Sequence, residues 1–479
     1  MSAPVALASP TGRWIVAAAV LGSGAVFLES TVVSVALPAM GRDLGLGLEG
    51  VQWVMNGFLL SLSALMLLGG ALGDAYGHRI VFAIGLAGFA AASLLCTLAP
   101  NIELLTGCRL LQGGAGALLV PNSLAILDTT FAEEDRGTAI GQWAAWSAVS
   151  TALGPLLGGW LVDAASWRWV FASIVPLALG AAWIAVRRIP DARQAQQRSG
   201  SIDYRGAVLA TLGLAGVVWA LVAGPEDGFT RPHVVAAGAG GAVLIVAFFI
   251  AERRAAAPLL PLEMFRSRQF SGANATTLLV YAALGGLFFF LMLEMQNVLR
   301  YSALAAGAAL LPLNGLMLAL SPFFGRLSHR IGPRLPMTIG ALVTAGGMLL
   351  LSRVQPGVGY ADVVLPGIIV FGLGLSAFVA PLTATVLAAV SDERTGVASA
   401  VNNAAARLAG LLAIAVLPLL AGLGGLDALE GPAFAAGYRR AMWISAALCV
   451  AGAAVAFLTI RRAAPLAAVA HPDARHGCT

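Results

Sequence analysis

Lysine is absent from this sequence: all 28 basic residues are arginine. Charge of either sign is scarce, at 11% of 479 residues, where an ordinary soluble domain carries about 25%. Hydrophobic residues make up 59%. So few charges cannot cover so much apolar surface in water. This excludes a soluble globular enzyme, a disordered chain and a secreted disulfide scaffold. Without lysine there is no G-x-x-x-x-G-K-[ST] phosphate loop, so energy has to come from an ion gradient rather than from ATP. The four cysteines, Cys96, Cys108, Cys449 and Cys478, form no C-x-x-C pair and read as small buried hydrophobes. No His/Cys/carboxylate cluster has metal-ligand spacing, and no cofactor or metal is predicted. The net charge is +5, but the arginines are scattered between apolar runs rather than gathered into the patch that nucleic acid requires. Arginine in place of lysine, beside abundant alanine and glycine, points to a GC-rich bacterial genome.

What is present is a succession of apolar runs, each near the roughly 20 residues that span a bilayer. Fourteen are found, at about 14–38, 51–72, 80–99, 102–126, 138–161, 168–187, 204–223, 233–251, 269–293, 303–324, 335–352, 363–390, 397–421 and 440–460. The first is interrupted by Glu29 and followed by further spans, so it reads as a retained helix rather than a cleaved signal. With the N-terminus in the cytoplasm, 19 arginines fall in inside segments, seven outside, and two, Arg109 and Arg407, within spans. That bias predicts an even helix count with both termini cytoplasmic.

The chain also repeats itself. Gly70-Ala-Leu-Gly-Asp74-Ala-Tyr-Gly77-His-Arg79 follows the second span, and Gly325-Arg-Leu-Ser-His329-Arg-Ile-Gly332-Pro-Arg334 follows the tenth, 255 residues later. Arg136 before the fifth span and Arg394 before the thirteenth lie 258 residues apart, each beside acidic residues and followed by a glycine. Two matches at nearly one offset predict a parallel duplication, the plan of a secondary transporter with substrate near the midplane. The expected domains are a six-helix bundle over 1–190, two inserted helices with linkers over 191–267, a second six-helix bundle over 268–462, and a cytoplasmic tail over 463–479.

Charges inside a membrane are rare, because each costs about 2.5–3.5 kcal/mol at a helix centre. Glu29 and Arg109 both lie about 12–14 Å below the outer ends of their spans at about 1.5 Å per residue, so they can pair if the helices adjoin. Burial disfavours a charged carboxylate and a guanidinium favours it, and a carboxylate held between those effects can load and release a proton. The alternative is a static pair that locks two helices. Arg109, Gln112, Gly113 and Gly116 share one helix face, as packing or as function. Gly154-Pro155-Leu-Leu-Gly158-Gly159 suits a pivot or seal between bundles, or plain close packing. Asp74, in the short loop with Gly70, Gly77 and Arg79, reads as a latch across the cytoplasmic face more than as a substrate contact. Gln52 and Asn56 on span two, and Ser399, Asn403 and Arg407 on span thirteen, form polar stripes that line a path or bond to neighbouring helices. Glu294 and Gln296 end span nine, where Glu294 either draws a cation to the outer mouth or is simply solvated. Trp143 and Trp146 lie deeper than an aromatic belt, for packing or for an organic cation. An integral-membrane enzyme would need several polar groups converging at one interface, and none do.

Taken together these motifs resemble the major facilitator superfamily, and within it the fourteen-helix drug:proton antiporters of the EmrB/QacA type. Leu28-Glu29-Ser30-Thr31-Val32-Val33-Ser34-Val35-Ala36-Leu37-Pro38 is similar to the first-helix motif, with glutamate where aspartate is usual. Gly70 to Arg79 resembles the loop motif, with Ala75 and His78 replacing common basic residues. Leu105 to Gly116 resembles the helix linked to proton transfer, Gly154 to Gly159 the antiporter motif, and Ser166-Trp167-Arg168-Trp169-Val170-Phe171 the start of the sixth helix. The resemblance implies an all-α membrane fold of two six-helix bundles plus two extra central helices. It implies a monomer in the bacterial plasma membrane that exports amphipathic small molecules in exchange for protons. Export of an endogenous metabolite or antibiotic is the alternative, with nutrient import less favoured.

Overall fold

Fourteen helices in the computed structural model are long and apolar enough to cross a membrane. The structure describes residues 5–190, 203–255, 258–390, 394–423 and 431–461. The N-terminal helices are α1 (Pro10–Leu44), α2 (Leu48–Tyr76), α3 (His78–Leu98), α4 (Ile102–Thr130), α5 (Glu133–Ala164) and α6 (Arg168–Arg188). Two further helices follow, α7 (Tyr204–Asp227) and α8 (Pro232–Arg254). The last six are α9 (Arg268–Val298), α10 (Ala303–Ser328), α11 (Arg334–Leu351), α12 (Tyr360–Leu387), α13 (Thr395–Leu420) and α14 (Ala433–Thr459). Much of the linker before α7, the expected tail over 463–479, Cys478 and the acidic pair Asp392-Glu393 lie outside the described residues.

Local sequence explains the helix ends. Ser9 caps α1 by accepting from the Gly12 N–H at 3.0 Å, and Asn101 caps α4 by accepting from the Leu104 N–H at 3.0 Å. Gly77 and Gly332 occupy the same place in the two copies of the loop motif, and both take positive φ, at 94° and 84°. The repeated sequence is thus a repeated turn, closed by a residue without a Cβ.

Packing repeats with an offset of eight helices. In the first bundle α1 packs on α5 and α6, α3 on α4 and α6, and α2 on α4. In the second, α9 packs on α13 and α14, α11 on α12 and α14, and α10 on α12. The bundles meet through α2 against α13 and α5 against α10, which are again equivalent pairs. Helix α7 packs along α2 and also touches α13, while α8 packs mainly on α7.

The bundles are joined at one end, the arginine-poor outer end by the sequence bias. There the Gln52 amide donates to the Ile414 carbonyl at 2.6 Å and the Gln296 amide to the Val35 carbonyl at 2.9 Å. The Asp163 carboxylate of α5 accepts from the Ala303 and Leu304 N–H groups at 3.1 and 2.8 Å, capping α10 from the opposite bundle. Asn314 donates to the Ala152 carbonyl at 3.0 Å. Toward the cytoplasmic end α5 turns exposed side chains outward, among them Gln142 and Trp146. The bundles are thus held together at the outer end.

The run Gly154-Pro155-Leu-Leu-Gly158-Gly159 sits at this closure with two working faces. Gly154 and Gly158 lie against α1, where a Cβ would meet Thr31 and the Val32 backbone. Pro155 and Gly159 lie against α10, where Gly307 and Ala303 press in. A side chain at Gly159 would overlap the Ala303 carbonyl. Gly159→Val is therefore expected to hold the outer end apart. A cysteine placed at Leu304 in an otherwise cysteine-free protein should react several-fold faster with an impermeant thiol reagent added outside. Equal rates with and without Gly159→Val would show that the closure does not depend on this approach.

Candidate functional site

The first bundle encloses a polar network in an otherwise apolar interior. Glu29 of α1 and Arg109 of α4 are both wholly buried, at 0% exposure. The Arg109 Nη1 donates to Glu29 Oε1 at 2.5 Å and to Gln112 Oε1 at 2.6 Å, while Nε donates to the Val54 carbonyl of α2 at 3.0 Å. Gln112 donates onward to Ser93 Oγ of α3 at 2.8 Å, and Ser93 donates to the Phe89 carbonyl at 2.7 Å. The guanidinium also lies over the Phe58 ring, 4.5 Å from its centre, with the Phe171 ring of α6 at 5.6 Å. Five helices converge on one arginine.

The backbone makes this possible. Gly57 leaves α2 close to the base of Arg109, and Gly113 lets α4 meet the Phe58 carbonyl and Ser61 where any Cβ would clash. The Arg109, Gln112, Gly113, Gly116 face therefore combines close packing with the polar network. One oxygen, Glu29 Oε2, is buried with no hydrogen-bond partner among the described residues, and Arg109 Nη2 is likewise unpartnered. Oε2 is the atom of this network with an acceptor site to spare, and so the place where a proton can sit.

The other predicted residues separate by position. At the cytoplasmic end Asp74 is 71% exposed and pairs with His78 at 3.4 Å, one helical turn along its own chain. Among the described residues it pairs with no arginine of the opposite bundle, so the expected latch is not made there. His78 also contacts Asn122 at 2.8 Å, and Asn122 donates to the Gly69 and Leu118 carbonyls, both at 2.8 Å. Gly73, with Asn122 and His78 against it, is sterically pinned, whereas Gly70 has ordinary space beside Pro121. Arg79 donates to the Val186 carbonyl at 2.6 Å, tying the loop to α6. The side chain of His329 in the second copy lies outside the described residues.

Gln52 and Gln296, candidates for the cavity, bond to carbonyls of the opposite bundle, which for Gln52 is the helix-bonding alternative. Glu294 differs from both of its expected placements. It is wholly buried at the start of a π-helical turn, Glu294–Val298, and is neither at an open mouth nor solvated. Trp143 is buried and donates to Ser23 Oγ at 2.5 Å, while Trp146 is 57% exposed. Asn56 is wholly buried, and neither amide atom has a partner among the described residues. Asn403 donates back to Ser399 on its own helix, and the Arg407 guanidinium lies over Phe27 of the first bundle. Sequence reasoning missed Ser93, Asn122 and Asp163. Each is a polar residue in or at the end of an apolar run, which is the signal that marked Glu29.

Removing one member of a buried ion pair leaves the other uncompensated, at about 3–5 kcal/mol. Glu29→Gln and Arg109→Gln are each expected to lower the melting temperature of the detergent-solubilised protein. The double variant should recover much of that loss. Single variants that melt like the wild type would show that the pair adds nothing to stability.

With the geometry set out, the chain can be compared with known proteins. The sequence profile of the Major Facilitator Superfamily matches residues 19–414. The chain is 38% identical over 396 residues to the puromycin resistance protein of Streptomyces alboniger, covering 82% of this chain and 78% of that protein. It is 35% identical over 404 residues to the tetracenomycin C resistance and export protein of Streptomyces glaucescens, covering 84% and 74%. Among solved structures, a D-xylose–proton symporter superposes with a TM-score of 0.66 at 15% identity, covering 94% of this chain and 98% of that one, a likeness of fold alone. The chain is a multi-pass membrane protein that belongs to the major facilitator superfamily, among relatives that include antibiotic resistance and export proteins.

Proposed function

We propose that this protein exports amphipathic small molecules, drugs or antibiotics among them, across a bacterial plasma membrane in exchange for protons. On this reading the proton gradient is its energy source, it acts as a monomer, and it carries its substrate through chemically unchanged. The relatives named for puromycin and tetracenomycin C resistance support the direction of transport and the substrate class. The observation that carries the coupling is the Glu29–Arg109 pair, a buried carboxylate with one oxygen on a guanidinium and the other without a partner.

The geometry supplies a route from proton to gate. A proton on Oε2 neutralises Glu29 and removes its attraction for Arg109. Leu28 and Val32 flank Glu29 on α1, and Gly154 and Gly158 of α5 rest against them. The next positions of α5, Pro155 and Gly159, rest against Gly307 and Ala303 of α10. A shift of α1 relative to α4 is thereby passed through one tightly packed helix to the seal between the bundles. Alternating access then follows from rocking of the two bundles about these contacts.

Glu29→Gln is expected to abolish proton-driven substrate uptake into inside-out vesicles, while Glu29→Asp retains part of it. Wild-type uptake should collapse when a protonophore is added. Uptake that survives either the protonophore or the Glu29→Gln change would sink proton coupling through this residue.

A further inference from the structure

Four charged side chains stand well inside the spans among the described residues: Glu29, Arg109, Glu294 and Arg407. The first three are wholly buried. Glu29 and Arg109 neutralise each other, and Glu294 is walled off within the second bundle. Arg407 alone of the four keeps exposed surface. Its guanidinium carbon lies 5.2 Å from the centre of the Phe27 ring, which belongs to the opposite bundle. Phe27 in turn meets Trp143 edge-on, with ring centres 6.1 Å apart. Tyr281 of α9 stands within electrostatic reach of the same guanidinium. Among the described residues no carboxylate pairs with Arg407 and no carbonyl accepts from it.

A guanidinium held between two bundles by stacking alone keeps its N–H donors unused. Those donors form a planar fork that matches a carboxylate or an ionised phenol, and its faces stack on aromatic rings. A fixed positive charge in low-dielectric surroundings repels an organic cation and attracts an anion. We infer that Arg407, with Phe27 and Trp143 beside it, binds planar aromatic substrates that carry a negative charge, and that it discriminates against planar cations. This deepens the export reading above and rests on it. Phe27 lies two residues before Glu29 on α1, so the aromatic wall of the substrate site and the proton site share one helix.

The test is proton-driven uptake into inside-out vesicles of three probes: fluorescein as an aromatic anion, ethidium as an aromatic cation and chloramphenicol as an uncharged aromatic compound. The wild type is expected to take up fluorescein and to discriminate against ethidium. Arg407→Gln should slow fluorescein uptake by about tenfold or more, the size of one lost charge-assisted hydrogen bond, and slow chloramphenicol far less. Arg407→Lys, which keeps the charge but not the fork, should fall between. Membrane abundance of each variant is measured alongside. Uptake of ethidium without fluorescein overturns the inference and leaves export standing. Equal slowing of fluorescein and chloramphenicol by Arg407→Gln also overturns it, since that is the signature of a mechanical clamp on Phe27. Uptake of none of the three by the wild type would sink the export reading, and this inference with it.

Discussion

A carboxylate or a guanidinium is costly to bury unpaired in an apolar interior, and the first bundle is arranged around that constraint. Glu29 and Arg109 meet because α2 and α4 approach at glycines, because Ser93 and Gln112 complete the hydrogen bonds, and because two phenylalanines cover the cation. Those supports are spread over α2, α3, α4 and α6. The pair therefore fixes the mutual register of α1, α2, α3, α4 and α6 more tightly than apolar packing does. Lipid tails are as apolar as leucine, so contact between apolar faces gives little preference for one register over another.

The second bundle repeats the packing but not the pair. Its helices contact one another in the same pattern, and its loop glycine takes the same positive φ. Yet its deep charges, Glu294 and Arg407, sit on separate helices with no ionic partner among the described residues. The mechanical frame thus repeats while the polar residues differ. On the proposed reading, the closed pair of the first half stores the proton and the unpaired Arg407 of the second meets the substrate.

Much of this was legible from the residues because a membrane simplifies the problem. Helix length is tied to bilayer thickness, so apolar runs yield the spans. A constant rise per residue converts position into depth, so Glu29 and Arg109 could be matched before any contact was known. The Gly77 and Gly332 turns were legible because only a positive φ demands that residue there. Depth does not say which way a side chain turns around its helix, nor which end of the bundles is shut. That is why the sequence left Gln52 open between lining a path and bonding to a neighbouring helix, and the structure shows the bond across the bundles. It is also why Glu294 read as an edge residue: the π-helical turn that begins there has no sequence signal of its own. Ser93 was missed because a lone serine in an apolar helix usually bonds back to its own backbone. Here it does so while also accepting from Gln112.

Helix α7 adds a kinematic consequence. It lies along α2 of one bundle and touches α13 of the other, so it flanks the seam where those two helices meet. When the halves rock, at least one of those surfaces has to slide across it. The helix then behaves as a bearing, setting how freely the halves swing. Among the described residues no extra helix packs along the opposite seam, between α5 and α10. A molecule already dissolved in the bilayer would find the two sides of this transporter unequal, one shuttered by an extra helix and the other open to the lipid.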